Sequence, residues 1–166
     1  MGVSVVAISQ ARCARKHDPD GNWCYKHHTF VENPAMPSVL DGRPTVCYCS
    51  KTGDLDCYGF EAGSYSGYNE FRDELSELAL GISADKLWTN PDPHMGKPFV
   101  ELLLIPPYAN AIGPVTSAKL LKDFNCYLAA ARKRWRSKST AWLLENYMDF
   151  RRAFQIAKGN GFVVLR

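Results

Sequence analysis

The pattern of apolar and polar positions changes period along the chain, and the changes mark the predicted elements. Residues 1–9 alternate weakly and are rich in Val and Ile, which predicts a first strand. Residues 11–44 are polar, carry the turn signal Asp18-Pro19-Asp20-Gly21-Asn22 and three further prolines, and read as a loop-rich excursion. Thr45–Ser50 and Leu55–Phe60 flank Lys51-Thr52-Gly53-Asp54, the signature of a hairpin. The period then lengthens. Phe71, Leu75, Leu78 and Ala79 fall at i, i+4, i+7 and i+8 and form one apolar stripe, with Asn69 placed to cap the helix and Gly81 to end it. Residues 85–97 carry two prolines and read as a connector. Phe99–Ile105 is a continuous apolar run stopped by Pro106-Pro107, which predicts a buried strand. A second helix, starting near Thr116 or Ser117, sets Leu121, Phe124, Leu128, Ala131 and Trp135 on one face. A third, starting near Ser139 or Thr140, aligns Leu143, Tyr147, Phe150, Phe154 and Ala157. Gly159-Asn160-Gly161 ends it, and Phe162–Leu165 forms a short last strand. Strands early and helices late predict an α+β fold: a single domain with a mainly antiparallel or mixed sheet and about three helices packed on one side.

Composition narrows the class. The chain has 166 residues, enough for one domain with a substantial core. Its 46% hydrophobic and 22% charged residues are ordinary globular values and exclude disorder throughout. No apolar run approaches the roughly 20 residues of a membrane span. The apolar start lacks a preceding basic stretch and is too short for a signal-peptide core, so no membrane partner is expected. Six cysteines stand at 13, 24, 47, 49, 57 and 126, and free thiols in a reducing cytosol are the default expectation.

Charge is uneven. Residues 54–85 hold eight acids against the single base Arg72, and residues 119–138 hold seven bases against Asp123. A basic cluster attracts phosphate, but a basic helix end also complements the helix dipole. The cluster lacks the aromatic interleaving of a single-strand binder.

Two segments have the make-up of a ligand site. In Gly63-Ser64-Tyr65-Ser66-Gly67-Tyr68-Asn69, two glycines permit unusual backbone conformations just before a helix N-terminus, where free N–H groups favour an anion. Ser64 and Ser66 add hydroxyls, Tyr65 and Tyr68 add flat faces, and Arg72 lies one turn into the helix. A tight turn with a helix cap accounts for the same residues. Asn110-Ala111-Ile112-Gly113-Pro114-Val115-Thr116-Ser117 repeats the arrangement after a predicted strand, with Lys119 in the first helical turn. Here a Thr116 or Ser117 cap is the plain alternative. Cys24-x-x-His27-His28 and Cys47-x-Cys49 have ligand types suited to zinc, with Cys57 expected on the hairpin partner. The long intervening loop and the lack of a Cys-x-x-Cys knuckle argue against a metal. His17, His27, His28 and His94 all fall in loop-like segments, and no nucleophile and base show a specific spacing.

The central motif resembles a widespread, largely uncharacterised set of small phage proteins. These typically open Met-Gly-Leu-Asp-Ile and carry Gly-Ser-Tyr-Ser-Gly-Tyr-Asn-x-Trp-Arg. Here the motif runs from Gly63 to Asn69 and continues Glu70, Phe71, Arg72, so Phe71 stands where Trp is usual. Ile112-Gly113 and Ala118-Lys119-Leu120-Leu121-Lys122-Asp123-Phe124 match further family positions, as do Tyr147, Arg151, Ala153, Phe154 and Ala157. Ser4, Pro107 and Ala109 stand where relatives carry acids. The resemblance implies a phage product in the host bacterial cytoplasm, and loss of the acids favours binding over catalysis. By analogy with small phage proteins that counter host defence, the expected function is to bind and sequester a nucleotide-derived immune signal, a cyclic nucleotide or ADP-ribose derivative. The expected ligand residues are Ser64, Tyr65, Ser66, Tyr68, Asn69, Arg72, Asn110, Thr116, Ser117 and Lys119, in one pocket joining the two segments. No catalytic residue, metal or cofactor is expected, and a homo-oligomer fits the scheme. The alternatives are an enzyme that cleaves such a signal and a protein that inhibits a host defence complex as anti-CRISPR proteins do.

Overall fold

In the computed structural model, the residues described are 2–9, 57–106, 111–159 and 161–166, together with the backbone of 28–31, 46–49 and 110. The chain is α+β. Strand β1 (Gly2–Ile8) lies between β4 (Cys57–Ser64) and β6 (Phe162–Leu165), and β5 (Asn110–Ile112) flanks β6. All three pairings are antiparallel, giving the order β4-β1-β6-β5. Strands β2 (His28–Val31) and β3 (Val46–Cys49) form a separate antiparallel pair. Helices α1 (Tyr65–Leu80), α4 (Pro114–Arg134) and α5 (Ala141–Ala157) are long, while α2 (Ala84–Thr89) and α3 (Val100–Leu104) are short.

The period-2 pattern of β1 sends Val3, Val5 and Ala7 into the core beneath the helices, where Val163, Leu165 and Ile112 join them. Ile8, Phe162 and Val164 alternate to the other face and are also buried. The aligned faces expected of α4 and α5 are the ones that pack, and Phe124, Ala131, Trp135, Leu143, Tyr147, Phe150, Phe154 and Ala157 are all buried. Phe150 sits at the centre. Its ring stacks on Phe71 at 5.4 Å between centroids and meets the edge of Phe60 at 5.0 Å. Tyr68, Phe124 and Phe154 complete its aromatic surround.

Several sequence expectations need correction. Among the described residues, β3 and β4 do not pair as the hairpin across Lys51–Asp54 would require. Strand β3 pairs with β2, inside the expected loop excursion, and β4 pairs with β1, so Cys57 lies opposite Ile8. A local turn signal carries no information about which distant edge lets Tyr58 and Phe60 reach the core. Turn residues 51–54 and the rest of the excursion lie outside the described residues, as do Cys24 and His27 of the zinc expectation. Phe99–Ile105 is not a strand but the turn into α3. An apolar run buried on all sides suits a helix as well as a strand. Phe99 adopts a left-handed φ of 63° and donates its N–H to the Asp123 carboxylate at 3.0 Å, which sets the reversal. The connector at 85–97 contains α2 and a 3-10 turn at Asp92–His94, so the described helices number five rather than about three. Helix α1 begins at Tyr65 with Ser64 as its cap, not Asn69. Helix α4 begins at Pro114, whose missing N–H costs nothing in the first turn. Gly81 ends α1 at φ 69°, as its position predicts.

Gly161 is required by close approach. A Cβ there would stand 1.9 Å from the Ile8 carbonyl oxygen and 2.9 Å from Cα of Ala157. Gly161→Ala must therefore push α5 away from β1. A loss of about 2–3 kcal/mol is expected in urea unfolding. An unchanged midpoint would show that the α5–β6 junction has slack.

Candidate functional site

The two predicted ligand segments are not brought together. Ser64 ends the edge strand β4 opposite Gly2, whereas Ile112, on the other edge strand, stands in line with Val163 and Ala7. Three strand spacings across and five residues along amount to about 20 Å on the diagonal. The helix starts thus occupy opposite corners of the sheet, and the single pocket expected from the sequence does not form.

Each segment has its own local order. The Ser64 side chain accepts the Gly67 N–H at 3.1 Å and shares a 2.9 Å hydrogen bond with the Ser66 hydroxyl. This is helix capping, which satisfies one orphan donor. Tyr65 and Asn69 are exposed. At the other corner Thr116 and Ser117 are buried, and the Ser117 hydroxyl donates to the Ile112 carbonyl at 3.5 Å. Asn110 lies on β5 opposite Leu165. Lys119 is already neutralised. Its ammonium meets Glu101 at 2.6 Å, Asp123 at 2.9 Å and the Lys97 carbonyl at 2.7 Å.

Tyr68 and Arg72 behave differently. Helical spacing places Tyr68, Arg72 and Ser76 on one face of α1, at i, i+4 and i+8. All three are buried, with relative exposures of 0%, 3% and 0%. Each also keeps a polar atom without a hydrogen-bond partner: the Tyr68 hydroxyl, the Arg72 Nε and the Ser76 hydroxyl. One Arg72 amino group donates to the Leu103 carbonyl at the end of α3. Trp88, on α2, lies over the guanidinium at 4.5 Å and donates its own Nε1–H to the same carbonyl at 2.9 Å. The Tyr68 ring is 5.5 Å from the guanidinium. Among the described residues no carboxylate pairs with Arg72. Burial pulls the guanidinium below its ordinary pKa, and the neighbouring Tyr68 opposes that pull.

A buried cation with two aromatic faces and one carbonyl is incompletely compensated. Each unpaired buried polar group costs about 1–3 kcal/mol, more when charged. Trp88 is the outer wall of this box and is 41% exposed. Trp88 also lines an open cleft of about 290 Å³ together with Asn69, Glu70, Asp73, Ser83 and Asp85. Glu70, Asp73 and Asp85 make that cleft acidic, so the cation suited to an anion is Arg72 rather than the cleft lining. Sequence reasoning missed Trp88, Ser76 and the Leu103 carbonyl. A tryptophan within a polar connector and a serine one turn beyond Arg72 were the available signals.

The Tyr68 hydroxyl gives a pH prediction. Burial pushes its pKa up to about 12 from 10.0, with Arg72 opposing the rise. Above pH 10 the unfolded chain releases this proton and the folded chain retains it. Its contribution to stability is therefore complete below pH 10 and is lost as pH rises toward 12, by an amount on the order of 2 kcal/mol. Tyr68→Phe removes the orphan hydroxyl. It is expected to raise the melting temperature of ligand-free protein at pH 7 and to flatten the alkaline decline. Thermal melts of both proteins from pH 7 to 11.5 check this, and parallel pH curves would contradict it.

No protein family, curated protein or solved structure matches this chain.

Proposed function

We propose that this protein binds and sequesters a small anionic ligand at Arg72. The supporting observation is the buried guanidinium, held between Trp88 and Tyr68, with unsatisfied donors beside it and, among the described residues, no carboxylate paired with it. Proteins keep such uncompensated polar groups where a site uses them. A planar fork beside aromatic rings suits a phosphate attached to a base. In the phage setting that the resemblance implies, the ligand is a nucleotide-derived defence signal, a cyclic nucleotide or ADP-ribose derivative. Arg72 would neutralise its charge, the Tyr68 and Ser76 hydroxyls would donate hydrogen bonds, and Trp88 would stack on its base after swinging from Arg72. One hydrogen bond, the ring contact with Arg72 and a six-residue helix hold Trp88 in place, and a ligand base would replace the ring contact as it enters.

Calorimetry against a panel of cyclic nucleotides and ADP-ribose derivatives tests this. At least one should bind below about 10 μM, or about −6.8 kcal/mol. If none does, sequestration fails. Incubation followed by chromatography separates binding from cleavage, because a sequestering protein returns intact ligand on heating. Of the adjacent histidines His27 and His28, the candidates for acid–base work in such a cleavage, His27 lies outside the described residues and His28 is described only in its backbone.

A second reading, inhibition of a host protein, is favoured by a different feature. An open groove of about 550 Å³ lies between the basic end of α4 and α5, lined by Trp135, Arg136, Leu144, Glu145, Met148 and Asp149. Beside it on the basic end of α4, the exposed Arg132 is the charge to reverse, since Arg134 is tied to Glu74 at 2.8 Å. Loss of host-protein capture by Arg132→Glu would support inhibition.

A further inference from the structure

Strand β4 is at the edge of its sheet and, among the described residues, pairs only with β1. It is eight residues long, and Cys57, Gly59, Glu61 and Gly63 are exposed. An edge of this length offers a row of unpaired N–H and C=O groups to another strand. Natural edges are blunted by lysine, proline, inward-pointing charge or bulges; β4 has no lysine or proline, and its register shift against β1 falls beyond Glu61, at Gly63 with φ 100°, leaving 57–61 regularly paired.

We propose that β4 pairs antiparallel with β4 of a second copy, making one continuous eight-stranded sheet across a two-fold axis. The side-chain pattern supports a copy of this chain as the partner. In an antiparallel pair, directly opposed residues share a face, so identical strands can cross on Phe60 or on Glu61. The crossing on Glu61 sets two carboxylates against each other and is disfavoured. The crossing on Phe60 sets Phe60 against Phe60, Tyr58 against Ala62 and Gly59 against Glu61, before the register shift at Gly63. The two Phe60 rings meet at the axis, the flanking large residues face small ones, and no like charges meet. The interface is isologous, as a two-fold dimer requires.

Gly59 is the position for the test. A Cβ there meets the Val5 carbonyl at 3.7 Å, an ordinary contact, so a side chain is tolerated in the monomer. In the proposed pairing residue 59 faces Glu61 of the second copy twice over. Sedimentation velocity across a dilution series should show a wild-type dimer. Gly59→Glu should raise its dissociation constant about tenfold or more, by two carboxylate–carboxylate contacts. Gly59→Lys should hold or tighten it. Because both substitutions add a side chain to the same strand, a general disturbance of β4 would weaken both. A wild-type monomer at every concentration overturns the proposal. So does a dimer that responds to both variants alike or to neither.

Discussion

Arg72→Met is expected to lose at least 100-fold in ligand affinity, about 2.7 kcal/mol, while melting no lower than the wild-type protein. The two halves have one cause. Removing an incompletely paired charge from a buried site and filling the space with an apolar side chain of similar length is commonly neutral or stabilising. The Leu103 carbonyl does not become an orphan, because the Trp88 Nε1–H still reaches it at 2.9 Å. Methionine also packs well against the Trp88 and Tyr68 rings. The binding energy, in contrast, rests on the charge-assisted hydrogen bonds of the guanidinium, which methionine cannot supply. A fall of several kcal/mol in the stability of ligand-free Arg72→Met would identify Arg72 as a structural cap for α3. The ligand proposal would then lose its premise.

The largest stability effect is expected at Phe150. Its ring meets Phe60, Tyr68, Phe71, Phe124 and Phe154, which belong to β4, α1, α4 and α5. It therefore ties every long helix to the edge strand. Phe150→Ala removes those contacts and leaves a cavity that four elements would have to move together to close. The expected cost is about 3–5 kcal/mol, or a melting temperature lower by roughly 10 °C for a chain of this length. A loss under about 1 kcal/mol in urea unfolding would show that the aromatic cluster is redundant.

What could be read from the sequence follows physical lines. The faces of α1, α4 and α5 were legible because 3.6-residue periodicity is a direct image of burial, and Phe71, Phe124, Tyr147 and Phe154 all obey it. The first and last strands were legible from β-branched runs. Pairing was not, since it depends on contacts distant in sequence: β4 joins β1 rather than β3. The run at 99–105 was ambiguous in principle, and its outcome turns on the bond from Phe99 N–H to Asp123, 24 residues away. For the candidate site, the residues of the motif divide along the helix. Ser64 and Ser66 cap, while Tyr68 and Arg72 carry the unsatisfied polar groups. Periodicity locates Tyr68 on the buried face, yet it does not reveal that Trp88 and Leu103 fold back over Arg72. Lys119 looked available from sequence alone and is held by Glu101 and Asp123.

The most direct test of the Arg72 site is the small-molecule content of the protein itself. Wild-type and Arg72→Met chains would be purified without denaturation from defence-competent bacteria during phage infection, then heated, and the released molecules analysed by mass spectrometry. A near-stoichiometric, intact, phosphate-bearing nucleotide from the wild type and none from Arg72→Met is the predicted result. Equal release from both chains, or none from either, would contradict it.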